Sequence, residues 1–447
     1  MDVVPRSSTL REPLLSVVAV SRNDDHGGDL TSRMQCFVDG FVGQCRRHLL
    51  DAELILVEWN PPPDRPPLEA SLAWPAEPSP AQIRVITVPT KVHLNFPHAS
   101  DLPIFQMIAK NVGIRRARGK YVLATNVDIL FNDALVQYLR DALYPGEVLR
   151  VDRYDVPRDL HKKAPLHDIL AECERRFFYV NTRLGTFDVK NRQIVGIGSG
   201  IRAQMLAAFL EARMFGLKYG ARRIARTLPL ALSHKFASLF TMALSSGRAI
   251  ARLIGATRHR RLALLATLPA RAFRRCVRWP RSFIQGLSGR VRRLKSSRRI
   301  HTNACGDFTL LAREDWARLR GYPEWPIHSW HLDSAFLFGA AAQGLVEVAL
   351  GPRYRIYHID HGSGWSPSGA AALFAGLTQK RIPYLTNEDL KIWHEQVLAD
   401  PANAIMNSEN WGLADHQFEE RRIVPREHDL SFATTFVLTS DENGAGG

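Results

Sequence analysis

The sequence predicts an α/β chain with a doubly wound sheet, interrupted by a basic helical insertion. Three observations predict it. Over the first third of the chain, continuous apolar, β-rich runs alternate with segments of helical period. Several of those runs end abruptly in polar clusters. One window, residues 201–300, holds 23 Lys and Arg and a single acid, Glu211.

The strand-like runs come in order as "LLSVVAV" (14–20), "ELILVEW" (53–59), "IRVITVP" (83–89) and "YVLAT" (121–125). Uninterrupted apolar runs suit strands covered on both faces, as in a parallel sheet sandwiched by helices. Between the first two, Met34, Phe37, Val38, Phe41, Val42, Cys45 and Leu49 recur at helical spacing. Before the fourth lies "PIFQMIAKNVGIRRARGK", where Pro103 suits a helix start and Gly119 a stop. After the basic window, "FTLLA" (308–312), "LVEVAL" (345–350) and "RYRIYHI" (353–359) read as strands. "REDWARLRGY" reads as a helix closing at Gly321, and "HLDSAFLFGAAAQG" as one closing near Gly344. The terminal "DENGAGG" reads as a disordered tail.

Bulk composition bounds the class. The 447 residues are 45% hydrophobic and 23% charged, ordinary for a globular chain of two or three domains or one large α/β domain with insertions. Five scattered cysteines without a C-x-x-C pair argue against a zinc or thioredoxin-like redox site and fit a reducing compartment. The opening "MDVVPRSSTLREPLLSVVAV" lacks the form of a signal peptide and reads as the lead-in to a first strand. No stretch approaches the roughly 18 uncharged apolar residues of a membrane span.

The net charge of +15 is an average of two unlike parts. The 201–300 window alone carries +22, which leaves the rest of the chain at −7. Its longest uncharged run, between Lys235 and Arg248, is 12 residues, too short to span a bilayer but suited to interfacial helices. An anionic membrane surface is the leading expectation for this block. Structural or oligomer-forming helices with a solvated basic face come second, and nucleic acid third.

Three strand ends are polar: "SRNDDHGG" (21–28), "EWNPPPDRPP" (58–67), and Asn126 with Asp128 in "VLATNVDILF". Each taken singly reads as a turn. In an open α/β sheet all three fall at one crevice, where ligands bind beyond the carboxyl ends of the strands.

These residues carry a resemblance. A first strand ending in "VSRND" (20–24), a second ending on Glu58, and "AKNVGIRRARGKY" (109–121) leading to "NVD" (126–128) resemble the nucleotide-sugar-binding half of GT-A glycosyltransferases, family 2 especially. That likeness covers about residues 13–135. "GDFTLLAREDWARLRGYPEW" (306–325), "WHLDSAFLF" (330–338) and "YHIDH" (357–361) look like the acceptor-side segment of galactosyltransferase-like members, over about 303–365. The resemblance implies a GT-A mixed sheet divided into a nucleotide-sugar half (1–200), the basic insertion (201–300), an acceptor half (301–425) and a polar tail (426–447). It implies hexosyl transfer, inverting, from a UDP- or GDP-linked sugar to a glycan or lipid-linked acceptor, with Mn²⁺ or Mg²⁺.

Residue roles follow from the same resemblance together with side-chain chemistry. Asp128 is the expected metal ligand, with His358 or His361 joining it; His358 is preferred for its place at the strand end, and imidazole favours manganese. Asn126 stands where the family has its first Asp; an amide brings no charge and offers a neutral contact to the donor. Ser21, Arg22, Asn23, Asp24 and Glu58 are nucleotide contacts by position, and Lys110 and Asn111 are expected to reach the nucleotide from the helix, unless they are solvated helix residues. Asp333, at the place of the family's Glu-Asp motif, is the expected catalytic base, and its bland alternative is a helix-start acid stabilised by the dipole. Asp307 is the reserve base or a sugar-binding group. "HGSGWSPSG" (361–369) is a mobile lid carrying Trp365, or a plain loop.

Membrane binding and free thiols place the expected protein in the cytoplasm, peripheral on the cytosolic membrane face. Two rivals make different expectations. A nucleotidyltransferase would release pyrophosphate and carry a glycine-rich basic loop after the first strand. A non-catalytic basic scaffold on membrane or RNA would bind no nucleotide.

Overall fold

A computed structural model describes residues 12–196, 201–227, 300–362 and 370–423. The expected polar tail (426–447), most of the basic insertion and residues 363–369 of the proposed lid, Trp365 among them, lie outside the described residues.

The chain opens with β1 (Leu15–Ser21), α1 (Leu30–His48), β2 (Ala52–Trp59), α2 (Leu68–Ser71), β3 (Ala81–Val88), α3 (Thr90–His93), α4 (Gln106–Arg115) and β4 (Tyr121–Ala124). Next come β5 (Ile129–Phe131), α5 (Asp133–Asp141), β6 (Glu147–Arg150), β7 (Asp152–Val156), α6 (Leu166–Arg176), β8 (Tyr179–Thr182), β9 (Gly185–Asp188), β10 (Gln193–Val195), α7 (Ile201–Phe215) and α8 (Leu217–Thr227). After the basic window follow a 3-10 turn (Cys305–Asp307), β11 (Thr309–Ala312), α9 (Arg313–Leu319), α10 (Leu332–Ala342), β12 (Val346–Ala349), β13 (Arg355–Ile359), α11 (Ala370–Gln379), α12 (Asn387–Ala399) and β14 (Glu419–Ile423).

The fold is α/β with two mixed sheets. The larger has the order β12-β6-β11-β4-β1-β2-β3-β14. Its centre, β4-β1-β2-β3, is parallel, with Ser21 opposite Glu58 in register. β11 runs antiparallel between β4 and β6, and β14 closes the other edge antiparallel to β3. Strand alternation divides the core in two. Leu15, Val17 and Ala19 of β1 face the cluster under α1, whereas Val18 and Val20 face the cluster under α4. This two-sided burial is why β1 is apolar at nearly every position.

Local chemistry sets the helix positions. α1 ends on Leu49 in the left-handed region, with Arg46, Arg47 and His48 at its negative end. α4 lies close on the sheet because Gly113 has no Cβ, which would stand 2.5 Å from Val18. Pro103 and Gly119 do not bound this helix as expected: it begins at Gln106 and ends at Arg115. Gly119 instead packs against the backbone of β1, where a Cβ would lie 2.5 Å from the Ser16 nitrogen.

The second sheet has the order β10-β9-β8-β7-β13-β5; β13 falls within the strand read over 353–359, whereas β7 to β10 were not among the strand runs read from the sequence. The chain leaves the large sheet at the end of β4 and enters the second sheet at β5. Residues 125–128 are therefore the crossing point between the two sheets. α6 and the buried face of α7 pack against the second sheet through Ile169, Leu170, Cys173, Ala207 and Leu210, in a cluster that also takes in Cys36 of α1.

Candidate functional site

The carboxyl ends of β1, β2 and β4 lie along one edge of the parallel centre, as the register pairs require. The Thr125 N–H still bonds to the Val18 carbonyl, so Asn126 to Asp128 project just beyond the sheet. β13 returns antiparallel to β5, His358 opposite Ile129, and the Ile359 N–H bonds to the Asp128 carbonyl. Two distant stretches of sequence thereby meet at Asp128.

Asp128, His358 and His361 form a cluster whose ligand atoms all lie within 4.8 Å of one another. Asp128 Oδ2 is 3.5 Å from His361 Nε2 and 3.8 Å from His358 Nε2. Metal bonds of about 2.0–2.2 Å place neighbouring ligands about 3–3.6 Å apart, so little adjustment would be needed. Asp128 Oδ1 is buried and has no hydrogen-bond partner. A buried carboxylate beside two imidazoles, with one of its oxygens unpartnered, is a donor set suited to a divalent transition metal, and the residues fit such an ion. Oδ2, the oxygen nearest the two imidazoles, already accepts from Arg33 Nη1 at 2.8 Å, with Arg33 almost wholly buried.

The two histidines differ in surroundings. His358 lies inside β13, not after it as expected, and its Nδ1 is 3.0 Å from Asp155 Oδ1. Burial and Arg153 oppose a charge on this ring, but Asp128 and Asp155 outweigh them and raise its pKa. His361 is pushed down to about 3 by burial, helped by His358, Arg33 and His26 around it, so its ring is neutral.

A second group adjoins the cluster. Arg153 bridges Asp155 at 2.8 Å and Asp307 at 2.6 Å. Asn126 Nδ2 donates to Asp307 Oδ1, while its own oxygen accepts from Gln106. Asn126 thus supports Asp307 directly. This explains the amide where the resemblance expects an acid: a carboxylate there would face another carboxylate. Burial alone would raise Asp307, but Arg153, His358 and Lys110 hold it below the usual range. So firmly held a carboxylate is a weak base. Asp333 is less buried and more lightly tied: Oδ1 accepts the Ser334 N–H at the start of α10, and Oδ2 faces Gly306.

The expected nucleotide contacts fall into two sets. Arg22, Asn23 and Glu58 meet the segment 60–71, while Ser21 lies opposite Glu58 in register and Asp24 accepts from Arg22 and the His26 N–H. Arg22 Nε donates to the Asn60 carbonyl and Nη1 to Asp24, and Asn23 donates to Pro66 and Ser71. Glu58 accepts the Leu68 N–H with one oxygen, and the other is buried without a partner. Burial raises the Glu58 pKa.

Lys110 and Asn111 do not join this set, and neither is the solvated helix residue that was the alternative for them. Both are fully buried. Asn111 is consumed by the turn after α9, exchanging hydrogen bonds with the Tyr322 backbone and donating to Glu324. Lys110 Nζ donates to the Gly306 carbonyl, beside Asp307 and Asp333, and burial lowers it to about 8.

Arg33, Asp155 and Arg153 were not singled out in the sequence. "DRYDV" (152–156) gave the one available signal, since Arg153 and Asp155 share a strand face at i, i+2. No helix among the described residues is long and apolar enough to cross a membrane. No family model matches this chain, and no curated protein matches it.

Proposed function

We propose that the chain is a metal-assisted glycosyltransferase of GT-A type, moving a hexose from a nucleotide-diphosphate sugar to an acceptor hydroxyl with inversion. The observation that carries this reading is the crossing point after β4, where Asp128, His358 and His361 gather at the edge that also holds the Ser21–Asp24 and Glu58 segments. An open α/β sheet offers its ligand site at that edge.

When bound, Mn²⁺ or Mg²⁺ at Asp128, His358 and His361 would neutralise the leaving diphosphate; two imidazoles favour manganese. The protein supplies the remainder. Residues 21–24 and the segment 60–71 shape the nucleotide end of the crevice. Asp307, fixed by Arg153 and Asn126, offers acceptor oxygens to sugar hydroxyls. Asp333 takes the proton of the acceptor hydroxyl as its oxygen bonds to the anomeric carbon, while the bond from that carbon to the diphosphate oxygen breaks and the electron pair leaves with the nucleotide.

Calorimetry against UDP-, GDP- and TDP-sugars, with and without Mn²⁺, tests the reading. Binding of one nucleotide class should depend on the cation and vanish in Asp128→Ala, and turnover should release nucleoside diphosphate. Release of pyrophosphate would establish a nucleotidyltransferase instead. Failure to bind any nucleotide with or without Mn²⁺ would leave the non-catalytic scaffold.

A further inference from the structure

We propose that the outward face of the α7–α8 hairpin docks on a lipid surface bearing anionic headgroups. The juxtaposition that carries it is an exposed apolar stripe on α7 beside an exposed cationic row on α8, with neither helix presenting an acid outward. This narrows the expectation drawn from the whole 201–300 window to one described face, and it stands independently of the catalytic reading.

The inner and outer sides of the hairpin are sharply different. Ala207, Leu210 and Ile224 are buried, the first two in the core of the second sheet. Gly216, at φ +106, reverses the chain in one residue, so α8 folds back against α7. The outer side is neither apolar nor simply charged. Of nine exposed large apolar side chains among the described residues, three lie on α7: Leu206, Phe209 and Met214, at 38%, 40% and 46% exposure. Leu206, Phe209 and the exposed Arg213 follow one stripe of the helix at i, i+3, i+7. On α8, Lys218, Arg222 and Arg226 are exposed at i, i+4, i+8.

Neither helix of the hairpin exposes an acid. Between Asp188 and Asp307 the sequence has one, Glu211. It is buried, and its Oε1 is spent on Arg223 and the Ile194 N–H. The hairpin therefore satisfies its negative charge internally, and the charged side chains it exposes are all cations.

Charge complementarity selects an anionic partner, and the apolar stripe selects which one. A solvated helix face gains nothing from exposed Leu, Phe and Met. Phosphates of a nucleic acid would meet the cations but leave the aliphatic groups in water. A bilayer interface satisfies both, with apolar side chains entering the headgroup–acyl boundary and cations at the lipid phosphates.

The test uses the full chain and sedimentation with vesicles of phosphatidylcholine alone or with about 30 mol% phosphatidylserine. Wild-type protein should partition onto the anionic vesicles and little onto the neutral ones. The triple variant Lys218→Gln, Arg222→Gln, Arg226→Gln should lose about a hundredfold in partition, from about fivefold for each cation near the surface. The double variant Leu206→Ser, Phe209→Ser should lose binding even at low salt, where a purely electrostatic contact would persist. Both variants should keep the wild-type thermal midpoint and Mn²⁺ affinity, which separates this result from any failure of the catalytic site. Wild-type partition by either variant would overturn the proposal. So would tight binding of single-stranded RNA, lost in the triple variant, with no partition onto vesicles.

Discussion

Asp155 Oδ1 lies 3.0 Å from His358 Nδ1, and the two residues are register partners on the parallel neighbours β7 and β13. The carboxylate is itself fixed by Arg153 and by Asn181 Nδ2 at 2.8 Å. Burial would raise Asp155, yet Arg153 and His358 hold it down at about 2, so it stays ionised. An ionised acceptor at Nδ1 keeps that proton in place and turns Nε2 toward Asp128 and His361.

Removing this support should loosen the cation site without removing a ligand. Asp155→Ala is expected to weaken Mn²⁺ binding about 10–100-fold, the usual cost of losing a partner behind a ligating histidine. Asp155→Asn keeps an oxygen that can accept Nδ1–H and should recover much of the loss. Titration calorimetry and the visible spectrum of a Co²⁺-loaded sample would report it. Wild-type affinity in the alanine variant would show that His358 is not a ligand.

Arg33 and Asp128 form a buried pair, at 1% and 8% side-chain exposure. Breaking such a pair leaves an uncompensated charge and costs about 3–5 kcal/mol. Arg33→Ala should therefore lower the thermal midpoint of metal-free protein. It should also enlarge the stabilisation by Mn²⁺, because a bound ion would then replace the positive charge that Arg33 gave the Asp128 carboxylate. Thermal unfolding with and without Mn²⁺ measures both. An equal Mn²⁺-induced shift in wild type and variant would mean that Arg33 and the ion do not share Asp128.

What was legible in the sequence is what rests on local pattern. The four apolar runs before residue 130 all form strands because burial on both sheet faces demands uninterrupted Val, Ile and Leu. Asp128 stood out because it follows such a run. Of the second sheet only β13 was legible: β8, β9 and β10 are three or four residues each and mix Asn, Thr, Asp and Gln with the apolar positions. Arg33 was hidden for another reason. It sits on an amphipathic helix where a basic residue reads as solvated, and only the crossing of β4 into β5 brings Asp128 to it. Asn111 shows the converse. Its place in a familiar-looking segment suggested a ligand contact, whereas tertiary packing spends its amide on a turn 211 residues away.

Lys110 provides a pH signature. Burial lowers its pKa from 10.5 to about 8, although Asp307 and Asp333 resist the shift. Below pH 8 the lysine is charged in both folded and unfolded chains. Between about 8 and 10.5 the unfolded chain holds the proton and the folded one does not, so wild-type stability rises with pH across that window. Lys110→Met removes the effect. The stability difference, wild type minus variant, should increase by about 3 kcal/mol from pH 8 to 10.5. Urea unfolding at several pH values checks it. A difference independent of pH would mean that Lys110 titrates as an ordinary solvated lysine.

Asn126 tests whether the departure from an acid at this position is structural. Its Nδ2 donates to Asp307 Oδ1, and Asp307 already accepts from Arg153. Asn126→Asp replaces a donor by a second carboxylate at hydrogen-bond distance in a half-buried place. Two carboxylates so close cannot both ionise freely, and one must take up a proton or move. The substitution that makes the motif look more like the family should therefore harm this protein, lowering stability at pH 7 by about 1–3 kcal/mol. Asn126→Ala also loses the hydrogen bond but adds no repulsion, so it should be the milder change. Acidification should separate them further: as the introduced carboxyl protonates and becomes a donor to Asp307, the aspartate variant should regain stability relative to wild type. Unfolding curves at pH 5 and pH 7 give the comparison. If Asn126→Asp equals or exceeds wild-type stability at pH 7, the contact with Asp307 does not explain the amide.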